Sequence, residues 1–286
     1  MKLAIITDGI SQDPAVAFKF LADEGIEYAD LQFVWDTEIG DHTDDQVKEI
    51  KRLAKEHGVK IGCITKHNFA GLPAKMEVLE SDAYKRHMEK FKHCFEVANE
   101  LECPLIRMMS SKKEMILFGY QGADKWVTAT GAWEAQVAQY REPVEYAEKM
   151  GTTLVTENCN GGQVTSNYLA AKLIKELGSD ILKILWDPCN ALYCTEEPYP
   201  IGYERGKDLL GHIHIKDAKI DIAKATVEFR SLGTGDMAPY LLDIAKALKE
   251  DGYDGIVSLE ANYRPPGGDF IDGTRSSVDY FKKLYG

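Results

Sequence analysis

Residues 211–218 read GHIHIKDA, where His212, His214 and Lys216 alternate with Ile213 and Ile215. Successive side chains of a strand point to opposite faces. One face therefore carries two imidazoles and an ammonium, the other two isoleucines. A buried lysine needs a partner, so the polar face is wet, paired with carboxylates, or on a metal. Three other short apolar runs end in a carboxylate: Glu157 in LVTENCNGG, Asp187 in ILWDPCNALY and Glu260 in VSLEANY. Three carboxylates in one confined mouth disfavour one another's ionisation, and a divalent cation is the simplest compensation. Oxygen-rich ligands with one imidazole suit Mn²⁺, Mg²⁺, Co²⁺ or Zn²⁺.

The elements that must position these groups alternate along the chain. Candidate strands are 2–7, 27–34, 59–65, 104–109, 152–157, 182–187, 211–216 and 256–260. Helical patterns lie near 14–24, 43–57, 81–101, 132–150, 164–177, 238–251 and 273–284. Thr43 followed by Gln46 has the form of a capping box, and Gly58, Gly151 and Gly178 follow the last helical residues, where a left-handed cap is common. The crossover after 187 reads as mostly loop, with a short helix near 203–210. Eight strands alternating with helical or loop crossovers predict a (β/α)₈ TIM barrel over residues 1–286 as a single domain. A doubly wound open sheet is the alternative, but TDGISQDPA after the first strand has no glycine-rich phosphate turn. In a barrel, the C-terminal strand ends share one mouth. Alternation turns Asp187, Ser258 and Glu260 inward and Ile184, Trp186, Val257 and Leu259 outward. Glu157, Asp187, His214 and Glu260 then converge from four consecutive strands.

Composition narrows the partners. The 286 residues are 44% hydrophobic and 28% charged, an ordinary globular balance. A net charge of −12 argues against a general nucleic-acid or anionic-membrane surface. The six cysteines form no CxxC pair, which argues against a zinc ribbon. MKLAIITDGI lacks a longer apolar signal region, and no stretch approaches membrane-spanning length. A cytoplasmic location with free thiols is expected.

The set TEN, WDPCN, HIHIKDA, LGTGD and SLE resembles the xylose isomerase-like TIM barrels of the sugar phosphate isomerase/epimerase group, and the resemblance runs over nearly the whole chain. It implies one divalent metal on Glu157, Asp187, His214 and Glu260, with Mn²⁺ foremost among the candidates. The histidine two residues before Lys-Asp is the ligand, which selects His214 over His212; His212 is then a hydrogen-bonded core histidine. Many members carry Asp-x-x-His where this chain has Asp187-Pro188-Cys189-Asn190. Asn190 can hydrogen-bond a sugar hydroxyl but cannot shuttle a proton. The endonuclease branch carries Asp-x-His ahead of its LGTG turn; this chain has VEFRS there.

The implied reaction is proton abstraction alpha to a carbonyl of a sugar or sugar-derived substrate through an enediolate, with Glu157 and Glu260 as acid and base. Return of the proton makes an isomerase or epimerase; loss of a β-substituent makes a dehydratase or lyase like the inosose dehydratases. A non-catalytic sugar-binding barrel is a third reading, against which both glutamates argue. Further substrate-binding candidates are His67 in ITKHNFAGLP, Arg107 in PLIRMM, Trp35 at the end of strand two, Asn190 and Lys216. Lys216 is expected to pair with Asp217 or with substrate. Gly233 and Gly235 read as a structural tight turn. Cys159 and Cys189 lie near the expected metal, but hard ions do not favour them. Trp126 and Trp133 belong to a long segment that could cap the pocket or join subunits, and a homo-oligomer, dimer or tetramer, is expected.

Overall fold

The computed structural model describes residues 1–114 and 131–286. Eight strands form a closed parallel ring: β1 (Lys2–Ile6), β2 (Tyr28–Leu31), β3 (Lys60–Ile64), β4 (Leu105–Met108), β5 (Thr153–Glu157), β6 (Leu182–Trp186), β7 (Leu210–Ile215) and β8 (Ile256–Leu259). β8 closes on β1 with Leu3 opposite Val257 and Ile5 opposite Leu259. The architecture is the (β/α)₈ TIM barrel expected from the alternating pattern.

Strand alternation sorts the side chains. Ile5, Ile106, Leu154, Ile184, Trp186, Ile213, Ile215, Val257 and Leu259 face outward and join the helices in the main apolar core. Each fully buried Ile or Leu there contributes about 1.5–3 kcal/mol relative to exposure. Inside the ring, Ala4, Cys63, Leu105, Val155, Leu185 and Ile256 form a separate apolar floor with Tyr28 against it. The inward positions that follow along the same strands are polar: Asp30, Arg107, Glu157, Asp187, His212, His214 and Lys216 are all buried.

The helices begin and end where local chemistry dictates. Thr43 caps Asp44–His57 through a reciprocal bond with Gln46, and Gly58 ends it at φ 69°. Asp269 and Asp272 cap Phe270–Tyr285 in the same way. Among the described residues no helix is long and apolar enough to cross a membrane.

Two hairpins stand on the strand ends. After β2, Phe33–Val34 pairs with Thr37–Glu38, so the expected long second strand breaks into a turn. Trp35 (φ 50°) and Asp36 (φ 58°) form its tip. After β7, Asp217–Asp221 pairs with Thr226–Arg230. The crossover after β6 is a short helix, Pro188–Tyr193, followed by a helical turn at Tyr203–Gly206 within the span where one was expected.

The LGTGD turn closes on Asp217. Its Oδ2 accepts from Gly233 N (2.9 Å) and Gly235 N (2.8 Å), and its Oδ1 from Met237 N (3.0 Å) and Ala218 N (2.8 Å). A Cβ at Gly235 would collide with Asp217 Oδ1, so the turn requires glycine there.

Candidate metal centre

Four consecutive strands deliver the central groups. Glu157 is the last residue of β5, and Asp187 follows β6 as the cap of helix Pro188–Tyr193, accepting from Asn190 N at 2.8 Å. His214 lies within β7, and Glu260 follows β8, its N–H bonded to Ile215 O at 2.9 Å. One ligand atom from each of the four lies within 4.8 Å of the others. That is the scale spanned by ligands about 2.1 Å from a single ion.

The donor set fits a divalent cation. His214 Nδ1 stands 3.3 Å from Glu260 Oε2 and 3.5 Å from Glu157 Oε1. His214 Nδ1 and Glu260 Oε2 are nevertheless buried without a properly oriented hydrogen bond. Two facing buried polar atoms left this way carry a desolvation cost of about 1–3 kcal/mol each, and a cation between them removes it for both. Three carboxylate oxygens and one imidazole nitrogen are ligands for Mn²⁺, Mg²⁺, Co²⁺ or Zn²⁺.

Two fixed cations already stand beside the carboxylates. Arg107 Nη1 is 2.7 Å from Glu157 Oε2, with both side chains 4% exposed. Its other nitrogens donate to the carbonyls of Thr65 and Lys66 and to Gln32 Oε1. Lys216 Nζ bridges Asp187 Oδ2 (2.7 Å) and Glu260 Oε1 (3.0 Å). Lys216 therefore does not pair with Asp217, which points the other way into the LGTGD turn. Asn262 also donates to Glu260 Oε1 at 2.7 Å.

These partners set the ionisation. Burial works to raise Glu157, but Arg107 and then His214 outweigh it and hold the carboxyl at about 2. Burial likewise opposes ionised Glu260, and Lys216 and His214 hold it well below the usual carboxylate range. Asp187 goes the other way: burial pushes it up to about 6, Lys216 opposes, and Glu260 and Glu157 add repulsion. Burial works to lower His214, yet Glu157 and Glu260 draw a proton onto it and raise it to about 9.

The remaining sequence candidates occupy definite places. Asn190 Nδ2 donates to Glu157 Oε1 (3.3 Å) and Asn158 O (2.9 Å), while Tyr193 O–H donates to Asn190 Oδ1. The amide is thus turned onto Glu157. His67 is half-exposed, with Nδ1 and its backbone N–H both on Glu38 Oε1, at 2.7 and 2.8 Å. Trp35 lies beyond the end of β2, at the hairpin tip, with its ring 6.3 Å from that of His42. His212 is fully buried and hydrogen-bonded to Asp30 Oδ2 at 2.7 Å. Asp30, His212 and His214 form a second group within ligand distance of one another, but this internal hydrogen bond already joins two of its members. Trp133 packs in the helix layer, bonded to Glu176 with Lys172 over its ring at 3.9 Å. Trp126 and the rest of 115–130 lie outside the described residues. All six cysteines are free, and Cys189 is buried.

Several mouth residues were not singled out from the sequence: Asp8, Asp30, Glu38 and Tyr193. Asp30 was accessible to the same alternation that placed Glu157, since Tyr28 and Asp30 share the inward face of β2. Burial pushes Asp8 up to about 6, against a hydrogen bond from Phe33 N (2.9 Å) and the nearby charge of Arg107. Glu38 lies beyond the strand, in the hairpin, where alternation says nothing about the barrel.

Comparison with known proteins agrees with the geometry. The family model described as xylose isomerase-like TIM barrel matches residues 18–284. The structure of D-psicose 3-epimerase with D-tagatose from Clostridium cellulolyticum H10 superposes with TM-score 0.73 at 16% identity, covering 100% of this chain and 99% of that one. The probable 3-DHS dehydratase AsbF from Bacillus anthracis superposes with TM-score 0.74 at 15% identity, covering 99% of each chain. A fusion of a xylose isomerase-like TIM barrel with 4-hydroxyphenylpyruvate dioxygenase gives TM-score 0.68 at 20% identity; 96% of this chain is covered, and it spans 42% of that longer protein. At these identities the superpositions speak to the fold. No sequence among the curated proteins matches.

Proposed function

The chain belongs to the xylose isomerase-like TIM-barrel family, and we propose that it is a divalent-metal-dependent sugar isomerase or epimerase. The observation that carries this reading is the pair Glu157 and Glu260. They flank His214 at 3.5 and 3.3 Å, and each has its own fixed cation.

Glu157, Asp187, His214 and Glu260 would hold the ion, with Mn²⁺ the leading candidate. Bound there, it supplies Lewis acidity toward a substrate carbonyl and its neighbouring hydroxyl. Glu157, kept ionised by Arg107, takes the proton from the carbon alpha to the carbonyl. Return of that proton to the adjacent carbon, with the hydroxyl proton passing from one enediolate oxygen to the other, gives isomerisation. Delivery from Glu260 to the opposite face gives epimerisation; Glu260 first takes up a proton from solvent, and Glu157 afterwards releases to solvent the one it removed, while Lys216 Nζ, 3.0 Å from Glu260 Oε1, stays protonated. Arg107 and Lys216 also offset charge developing on the enediolate oxygens. Asn190 keeps Glu157 oriented, and Trp35 and His67 stand on the opposite side of the mouth as substrate contacts.

A second reading is elimination by a dehydratase or lyase. The buried ammonium of Lys216 favours it, because it stands at the mouth between Asp187 and Glu260, where it can give a proton to a hydroxyl that leaves as water. The test is incubation of Mn²⁺-loaded protein with D-fructose, D-tagatose and D-psicose in deuterated water, followed by NMR. Conversion to another aldose or ketose, or deuterium at a carbon next to the carbonyl, without loss of a hydroxyl, supports isomerase or epimerase. An unsaturated or deoxy product supports the lyase, and neither outcome rejects both.

A further inference from the structure

We propose that Asp8 and His67 form a hydroxyl-reading subsite for the uncharged tail of a polyhydroxy substrate, across the barrel mouth from the metal centre. This rests on the sugar-directed reading above. In the ring of eight, β1 lies opposite β5 and β3 opposite β7. Asp8 follows β1 and His67 follows β3, so the two stand across from the strands that carry Glu157 and His214. A substrate held by its carbonyl end at the metal centre extends its remaining carbons toward them.

Both groups are built into position. Asp8 Oδ1 accepts from Phe33 N at 2.9 Å, and its Oδ2 has no hydrogen-bond partner among the described residues. Phe33 pairs with Glu38 across the hairpin. Glu38 Oε1 takes both N–H groups of His67, which puts the ring proton on Nδ1 and leaves Nε2 free. Glu38 Oε2 is held by Lys66 (2.7 Å), Lys66 by Asp41 (2.9 Å), and Asp41 by Lys90 (2.9 Å). This alternating chain of charges ends on one half-exposed imidazole.

The hairpin that joins them is strained. Trp35 and Asp36 both adopt left-handed backbone without being glycine, held by Gln12 through Trp35 N–Gln12 O (2.8 Å) and Asp36 N–Gln12 Oε1 (3.0 Å). Strain of this kind persists where the surroundings impose it, and it clusters at functional sites. Here it places Phe33 with its ring centre 6.4 Å from that of His67, an apolar backing for the C–H face of a sugar.

The charges select a neutral tail. A carboxylate oxygen and an imidazole nitrogen both accept from hydroxyls, so together they suit adjacent hydroxyl groups. Asp8 and Glu38 repel a phosphate. The nearest cations, Arg107 and Lys66, are already bonded to carboxylates.

Calorimetry on Mn²⁺-loaded protein tests this, with dihydroxyacetone, D-fructose 6-phosphate and the ketohexoses D-fructose, D-tagatose and D-psicose as probes. The best ketohexose should bind on the order of tenfold tighter than dihydroxyacetone, as expected when hydrogen bonds to charged groups are gained, and tighter than the 6-phosphate. His67→Phe should remove most of that advantage while leaving dihydroxyacetone binding within about twofold. Asp8→Asn, which keeps an acceptor for Phe33 N, should reduce it and narrow the gap to the phosphate. The subsite is overturned if the parent protein binds no ketohexose more tightly than dihydroxyacetone. It is equally overturned if the variants weaken both probes alike, or neither. Deuterium exchange reports separately on the isomerase reading, so failure of one leaves the other readable.

Discussion

Replacing Lys216 by methionine keeps most of the apolar stem and removes one charge from the centre of the mouth. Without metal, Glu157, Asp187 and Glu260 carry three negative charges, and Arg107, Lys216 and the protonated His214 three positive ones, leaving the centre neutral. The variant leaves one negative charge. Breaking a buried pair by removing one partner costs about 3–5 kcal/mol, because the remaining charge stays buried. Asp187 and Glu260 both lose an ammonium within 3.0 Å. The metal-free variant should therefore melt roughly 6–15 °C below the parent, and Mn²⁺ should restore part of the difference. The loss should depend on pH. Asp187 is already raised to about 6, and without Lys216 it rises further. A carboxyl raised in the folded state binds more protons there, so stability falls as pH rises from its unfolded value through its folded one. The deficit should be small near pH 4 and grow through pH 6. In turnover, kcat/KM should drop on the order of 10–100-fold with metal content intact, corresponding to roughly 1.4–2.8 kcal/mol of transition-state stabilisation. Scanning calorimetry at several pH values and steady-state assays check both arms. A Lys216→Met protein that melts with the parent when metal-free and matches its kcat/KM when loaded with Mn²⁺ would refute the bridging role.

Three further outcomes are expected. Asp187→Ala should lower the Mn²⁺ content of purified protein measured by elemental analysis, and parental binding should weaken in acid, because the carboxylates and His214 must be deprotonated to ligate; equal metal content in both proteins would remove Asp187 from the centre. Glu157→Gln and Glu260→Gln should reduce kcat by on the order of 10²–10⁴-fold while circular dichroism shows a folded barrel, and full activity in either variant would sink the two-carboxylate mechanism. Glu38 is held down at about 2, where burial opposes ionisation and His67 and Lys66 overcome it; its contribution is present above its unfolded value near 4.5 and is lost as pH falls toward 2. Glu38→Gln should flatten that part of the acid-denaturation curve, and an unchanged curve would show that the pairing adds no stability.

Much of this was legible from period and spacing. Among the described residues, the eight strands of the ring and the seven principal helices follow from apolar runs and caps such as Thr43–Gln46, because those signals are local. The inward direction of Asp187 and Glu260 follows from alternation once a barrel is assumed. The partners were harder. Alternation itself argues against pairing Lys216 with Asp217, since neighbours in a strand face opposite ways; the expectation rested on sequence proximity. That Asp217 grips Gly233 and Gly235 depends on how the chain returns after the hairpin at 217–230, whose second strand begins with three exposed residues and gives no core signal. Glu38 reaches His67 only because Trp35 and Asp36 turn left-handed, a conformation their side chains do not advertise. Tyr193 reaches Asn190 because Asp187 starts a short helix there, which places residues three apart on one side.

The clamp on Asp217 bears on Lys216 in a different currency. A free lysine side chain carries about 2 kcal/mol of rotamer entropy, which a flexible site would surrender each time it ordered the ammonium around substrate. Here four backbone N–H groups fix Asp217, and with it the backbone from which Lys216 projects, while Asp187 and Glu260 fix the far end of the stem. That ordering is completed once, when the chain folds. In the proposed mechanism the ammonium would meet each arriving substrate already immobilised, so any contribution to rate would show in full as electrostatics, undiminished by freezing of the side chain during the catalytic cycle.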